Sequence, residues 1–156
     1  MKKVLFLFLA VVALSCSEDD PDIRDQAVGT YNYTLKFYYL DGSTLEYLGS
    51  DFDDSGTMIV EKSSTSSLIF KEGGTEQLRA EKIAAASNGF SFDVPSQTYE
   101  DDDISVTISG YNGIELDGTK YHGGYFSATK KIEVYFQFKD NNNETFVIEL
   151  ILSVVK

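Results

Sequence analysis

A chain of 156 residues has room for one domain, and its 12 glycines, 2 prolines, 10 tyrosines and 11 phenylalanines favour strands joined by turns over helices. With 25 acidic residues against 13 basic ones the net charge is −12, which excludes nucleic acid as a partner and turns the surface away from anionic lipid headgroups. A single cysteine excludes a disulfide within the chain, and a single histidine leaves nucleophilic catalysis and transition-metal sites without their usual partners.

Met1-Lys2-Lys3 is followed by an unbroken apolar run from Val4 to Leu14, then Ser15 and Cys16. That layout predicts a secretion signal over residues 1–15, because the apolar run falls short of the roughly 20 residues needed to span a bilayer core. Ala13-Leu14-Ser15-Cys16 resembles the lipobox of bacterial lipoproteins. The resemblance implies that diacylglycerol alkylates Cys16 and that Cys16 becomes the first residue of the mature chain. Two or three acyl chains hold a protein stably at a membrane, at about 0.8 kcal/mol per buried methylene. Ser17-Glu18-Asp19-Asp20-Pro21-Asp22 has no apolar periodicity, so residues 16–26 read as a lipidated cysteine and an acidic tether. A cysteine followed by serine and acids is similar to the surface-export signal of Bacteroidetes lipoproteins, which implies anchoring at the outer membrane with the domain facing outward.

From Ala27 the apolar period becomes two. Tyr31, Tyr33, Leu35, Phe37 and Tyr39 share one face of an extended segment, and Asn32, Thr34 and Lys36 share the other. Asp41-Gly42 supplies a hairpin turn into a strand at Thr44–Tyr47. Further strands are expected at 57–62, at 68–71 before Gly73-Gly74, and more weakly at 77–85, where Glu81 to Ala86 also suits a short helical turn. Alternation resumes at Phe90, Phe92 and Val94, at Ile104, Val106 and Ile108, and over 120–127. Ile132, Val134, Phe136 and Phe138 then face Phe146, Ile148, Leu150, Leu152 and Val154 across Asp140 to Asn143, which predicts a long closing hairpin. Val147, Ile151 and Val155 on the reverse face predict a last strand covered on both sides.

Eight to ten short strands with no helical interval leave two architectures for residues 27–156: an antiparallel up-and-down β-barrel, or a two-sheet β-sandwich. Closure removes exposed edges, so the barrel is the expectation. Val28-Gly29-Thr30-Tyr31 opening the first strand, with meander hairpins to the end, resembles the calycin-like or lipocalin-like domains of small Bacteroidetes surface lipoproteins. Tyr31 stands where the lipocalin pattern carries tryptophan. The resemblance implies a non-enzymatic envelope protein that binds a small ligand or serves an outer-membrane assembly.

Candidate sites are few. A binding barrel predicts a cavity lined by inward residues such as Tyr33, Phe37, Phe92 and Phe136, taking a small apolar or glycan ligand. The alternative is an interaction module with a packed core, meeting another protein through outer tyrosines such as Tyr38, Tyr47, Tyr111, Tyr121, Tyr125 and Tyr135. Asp51-Phe52-Asp53-Asp54-Ser55-Gly56 matches the first half of an EF-hand loop, so Asp51, Asp53 and Ser55 are candidate Ca²⁺ ligands, although Lys62 stands where the loop's closing glutamate belongs. His122, in Lys120-Tyr121-His122-Gly123-Gly124, has no partner identifiable by spacing and reads as a hydrogen-bonded edge residue. No catalytic residues, and no cofactor beyond the lipid on Cys16, are expected.

Overall fold

The computed structural model describes residues 21–101 and 104–155. The expected signal segment and Cys16 lie outside the described residues, as do Asp102 and Asp103.

Among the described residues, thirteen strands follow a short 3-10 turn at Ile23–Gln26. They are β1 (Gly29–Asp41), β2 (Thr44–Tyr47), β3 (Asp54–Lys62), β4 (Leu68–Glu72), β5 (Thr75–Ala86), β6 (Gly89–Asp93), β7 (Gln97–Asp101), β8 (Ile104–Gly110), β9 (Ile114–Leu116), β10 (Thr119–Tyr121), β11 (Gly123–Phe126), β12 (Lys131–Lys139) and β13 (Thr145–Val154). Eight of them close an antiparallel barrel in the order β1, β3, β4, β5, β6, β11, β12, β13 and back to β1. Pairing of β11 with β12 completes the ring and rules out the two-sheet sandwich.

The register follows from the alternation of side chains. Because Tyr31, Tyr33, Leu35, Phe37 and Tyr39 lie opposite Val154, Leu152, Leu150, Ile148 and Phe146, the apolar stripes of β1 and β13 fall on one face. Ile132, Val134, Phe136 and Phe138 of β12 meet Leu152, Leu150, Ile148 and Phe146 in turn, as the closing hairpin predicts. A slip of one residue would carry every one of these rings into solvent, so the stripe fixes the pairing.

The wall between β5 and β12 has different strands at the two ends of the barrel. Residues 81–86 of β5 pair with β6, β6 pairs with β11, and β11 pairs with residues 131–134 of β12. At the other end residues 136–138 of β12 pair with β8, and β8 pairs with β7. Strand β7 reaches β5 through side chains. The Gln97 amide accepts from the Arg79 N–H at 2.9 Å and donates to the Arg79 carbonyl at 3.1 Å, satisfying both backbone groups as a neighbouring strand would. The Tyr99 hydroxyl donates to the Gln77 carbonyl.

Two sequence expectations need correction, and one alternative, the helical turn at Glu81 to Ala86, gives way to the expected strand. The single strand expected over 120–127 is two: Tyr121 ends the β9–β10 hairpin, and Gly123 starts β11. Residues 81–86 remain extended instead of helical. Their deviation is a bulge, with a register shift between Glu81 and Ala84 and Lys82 at φ +51°. On the reverse face of β13 Val147 is buried, while Val155 lies outside the strand and is 45% exposed. Tyr38 and Gln137 stand on either side of Val147 in the register, and they cover that part of the strand alone.

Candidate functional site

The barrel is filled at one end and hollow at the other. At the filled end Phe70, Phe90, Phe92, Tyr125, Ile132 and Leu152 are sequestered from water. Phe90 stacks on Tyr125 with ring centroids 5.3 Å apart, and Phe92 lies 6.1 Å from Phe70 and 6.3 Å from Phe90. The Tyr31 hydroxyl, carried into this core, donates to the Ala27 carbonyl at 2.9 Å. Burial pushes its pKa up to about 12. Phe92 lies directly across from Gly123, whose missing side chain leaves the space the ring occupies.

At the β7–β8 end the inner stripes line a cavity of about 210 Å³ that opens to solvent. Leu35, Met58, Leu78, Ile108, Phe136 and Leu150 supply its apolar wall, and Tyr33, Glu72, Gln77 and Tyr99 its polar atoms. Strand alternation places each of the first set: Met58 follows Val60 inward on β3, and Leu150 follows Leu152 on β13. The same rule carries Glu72 inward, since Leu68, Phe70 and Glu72 occupy alternate positions of β4. Tyr33 lies across Gly56, and a methyl there would sit 2.8 Å from the ring.

The Tyr33 hydroxyl donates to Glu72 Oε1 at 2.7 Å. That bond and then burial hold the phenol protonated, with its pKa up to about 12, and the charges of Glu72 and Asp54 act in the same direction. Burial likewise raises the Tyr99 hydroxyl. Both phenols are therefore neutral donors at physiological pH.

Of the residues expected to line a ligand site, Tyr33 and Phe136 do. Phe37 shares their stripe but stands beyond Leu35, paired with Ile148, outside the cavity wall. Phe92 is fully buried in the filled end, so the same alternation that selected it puts it in packing instead of lining. Glu72 had a legible signal, a charge on an inward stripe. Tyr99 had none, because β7 carries no alternation of apolar residues.

The proposed calcium half-loop takes another form. Asp51 lies in a 3-10 turn at Ser50–Phe52, and Ser55 is already in β3. Asp53 accepts the Tyr47 hydroxyl on Oδ2 at 2.7 Å, and its Oδ1 is buried without a hydrogen-bond partner. Among the described residues no three His, Cys, Asp or Glu side chains converge into a metal-holding group. His122 accepts the Val94 N–H on Nδ1 at 3.0 Å and its carbonyl accepts Tyr135 N–H, so it ties β6, β11 and β12 together.

The outer tyrosines divide. Tyr125 belongs to the core. Tyr38 and Tyr135 both donate to Glu149 on the outer face, and burial followed by the Glu149 charge raises the pKa of neighbouring Glu133. Compared with protein-family models and with curated proteins, the chain matches none of them.

Proposed function

We propose that this is a non-enzymatic protein of the bacterial envelope, held at the outer membrane by lipid on Cys16, whose barrel takes up a small apolar ligand at its hollow end. The observation that carries the binding half of this reading is the 210 Å³ cavity beside an otherwise close-packed core. Protein interiors pack to crystal-like density, and an apolar cavity of about 150 Å³ stays dry and admits benzene or xenon. The volume here suits one ring or a short branched chain, and a glycan is too large for it. Among the described residues lining the cavity there is no Ser, Thr, Cys, Lys or His, and its one hydroxyl–carboxylate pair is the Tyr33 phenol, held protonated on Glu72, which supports binding over catalysis. An interaction module with a packed core would account for the filled end and leave the cavity without a purpose. The anchoring half rests on the Ala13-Leu14-Ser15-Cys16 tetrad and the apolar run before it.

Native mass spectrometry of the protein taken from its own membranes tests both halves. The expected species begins at an acylated Cys16 and releases a small ligand on unfolding. A chain beginning at Met1 with an unmodified thiol would overturn the anchor, and a ligand of oligosaccharide mass would overturn the assignment to the cavity.

A further inference from the structure

The wall of the cavity carries one carboxylate, Glu72, and no cation among the described residues. The cations next in chain to lining residues point outward: Lys71 pairs with Glu61 at 2.6 Å, Arg79 with Glu76 at 3.0 Å, and Lys36 stands between the inward Leu35 and Phe37 on β1. Asp54 adds a second acid at the rim, on the inner stripe of β3 after Val60, Met58 and Gly56 and opposite Leu35. A ligand with a carboxylate head would therefore meet two like charges and no partner.

Beyond the cavity the longer strands carry an aromatic cluster. Strands β3 and β4 stop at the level of Asp54 and Glu72, while β1, β12 and β13 continue, carrying Phe37, Tyr39, Phe138 and Phe146 on the inner face. Phe138 stacks on Phe146 at 5.4 Å, and Tyr39 meets the edge of Phe146 at 5.8 Å. Ring faces attract cations, and most strongly where water is partly excluded. An apolar pocket with a carboxylate and the rings of Tyr33, Tyr99 and Phe136 in its own wall has the parts of a site for an organic ammonium.

Building on the binding reading above, we propose that the barrel selects a small organic amine, with its ring or short alkyl tail in the cavity and its ammonium at Glu72. Tyr33 then has a positioning role: its hydroxyl holds Glu72 Oε1 at the cavity wall and leaves Oε2 to the ligand.

Calorimetric titration of the full-length protein with benzylamine, benzyl alcohol and benzoate at pH 7 decides this. Benzylamine is expected to bind about five- to tenfold more tightly than benzyl alcohol, as one partly exposed charge pair gives, and benzoate is expected not to bind. Glu72→Gln, which keeps an acceptor for Tyr33, should bring benzylamine to the level of benzyl alcohol. Equal binding of all three, or a preference for benzylamine that survives Glu72→Gln, would overturn the amine assignment and leave an apolar cavity standing. No binding of any of them would overturn the cavity reading as well. The ligand series on the unaltered protein gives its answer whether or not the variant folds.

Discussion

The two ends of this barrel are built from one alternating pattern and do different things. Tyr31 and Tyr33 are neighbours on one stripe of β1, both buried, both with a hydroxyl that donates: one to a backbone carbonyl inside a solid core, the other to a carboxylate at the wall of a cavity. Each end also seats an aromatic ring across from a glycine, Phe92 on Gly123 and Tyr33 on Gly56. What separates them is the wall between β5 and β12. The β6–β11 pair brings Phe90, Phe92 and Tyr125 inward, whereas β7–β8 brings Tyr99 and Ile108, and the volume they leave becomes the cavity. An inserted excursion in a meander thus converts half of a packed core into a pocket while the hydrogen-bonded frame stays closed.

The largest test of this contrast removes a ring from each end. Phe92→Ala should cost about 3–5 kcal/mol, since a fully buried ring leaves a void that its close-packed neighbours fill poorly. Phe136→Ala, at a half-exposed position already bordering space, should cost about 1–2 kcal/mol. Urea unfolding of both variants measures the difference, and equal costs would mean the ends are packed alike.

A smaller effect comes from adding a methyl in place of removing a ring. In Gly123→Ala the new Cβ overlaps Phe92, which has nowhere to go, for a loss of about 1–3 kcal/mol. In Gly56→Ala the nearest ring atom is 2.8 Å away and the Tyr33 ring can shift slightly toward the cavity with its bond to Glu72 kept, so the loss should stay under about 1 kcal/mol. Thermal melts of the pair sharpen the comparison, and a larger loss for Gly56→Ala would reverse it.

Much of the frame was legible because alternation is a local signal. The β12–β13 hairpin, the 44–47 strand and the inward face of β1 follow from side chains two residues apart, and they stand as the sequence predicts. Ring closure depends on long-range pairings, β1 with β13 and β6 with β11, reached in the sequence reading only through the general cost of open edges. Strand β7 escaped it because Gln97, Thr98 and Tyr99 show no apolar period, and its attachment to β5 runs through the Gln97 amide, a contact no periodicity encodes. Strand β9 is three residues long. For the site, alternation supplied Tyr33 and Phe136 correctly but could not separate them from Phe92, since inward residues at a packed end and at a hollow end have the same pattern. Depth along the barrel axis decides lining, and depth is set by which strands pair at each level.

The account stands or falls on space inside the wall at one end. Xenon pressure applied to a methyl-labelled sample, read by NMR, probes that space without assuming any head group. Saturable shifts are expected at Leu35, Met58, Leu78, Ile108 and Leu150, with Leu68, Val134 and Leu152 unmoved. Methyls that all stay still, or that shift together at both ends, would contradict a barrel filled at one end and hollow at the other.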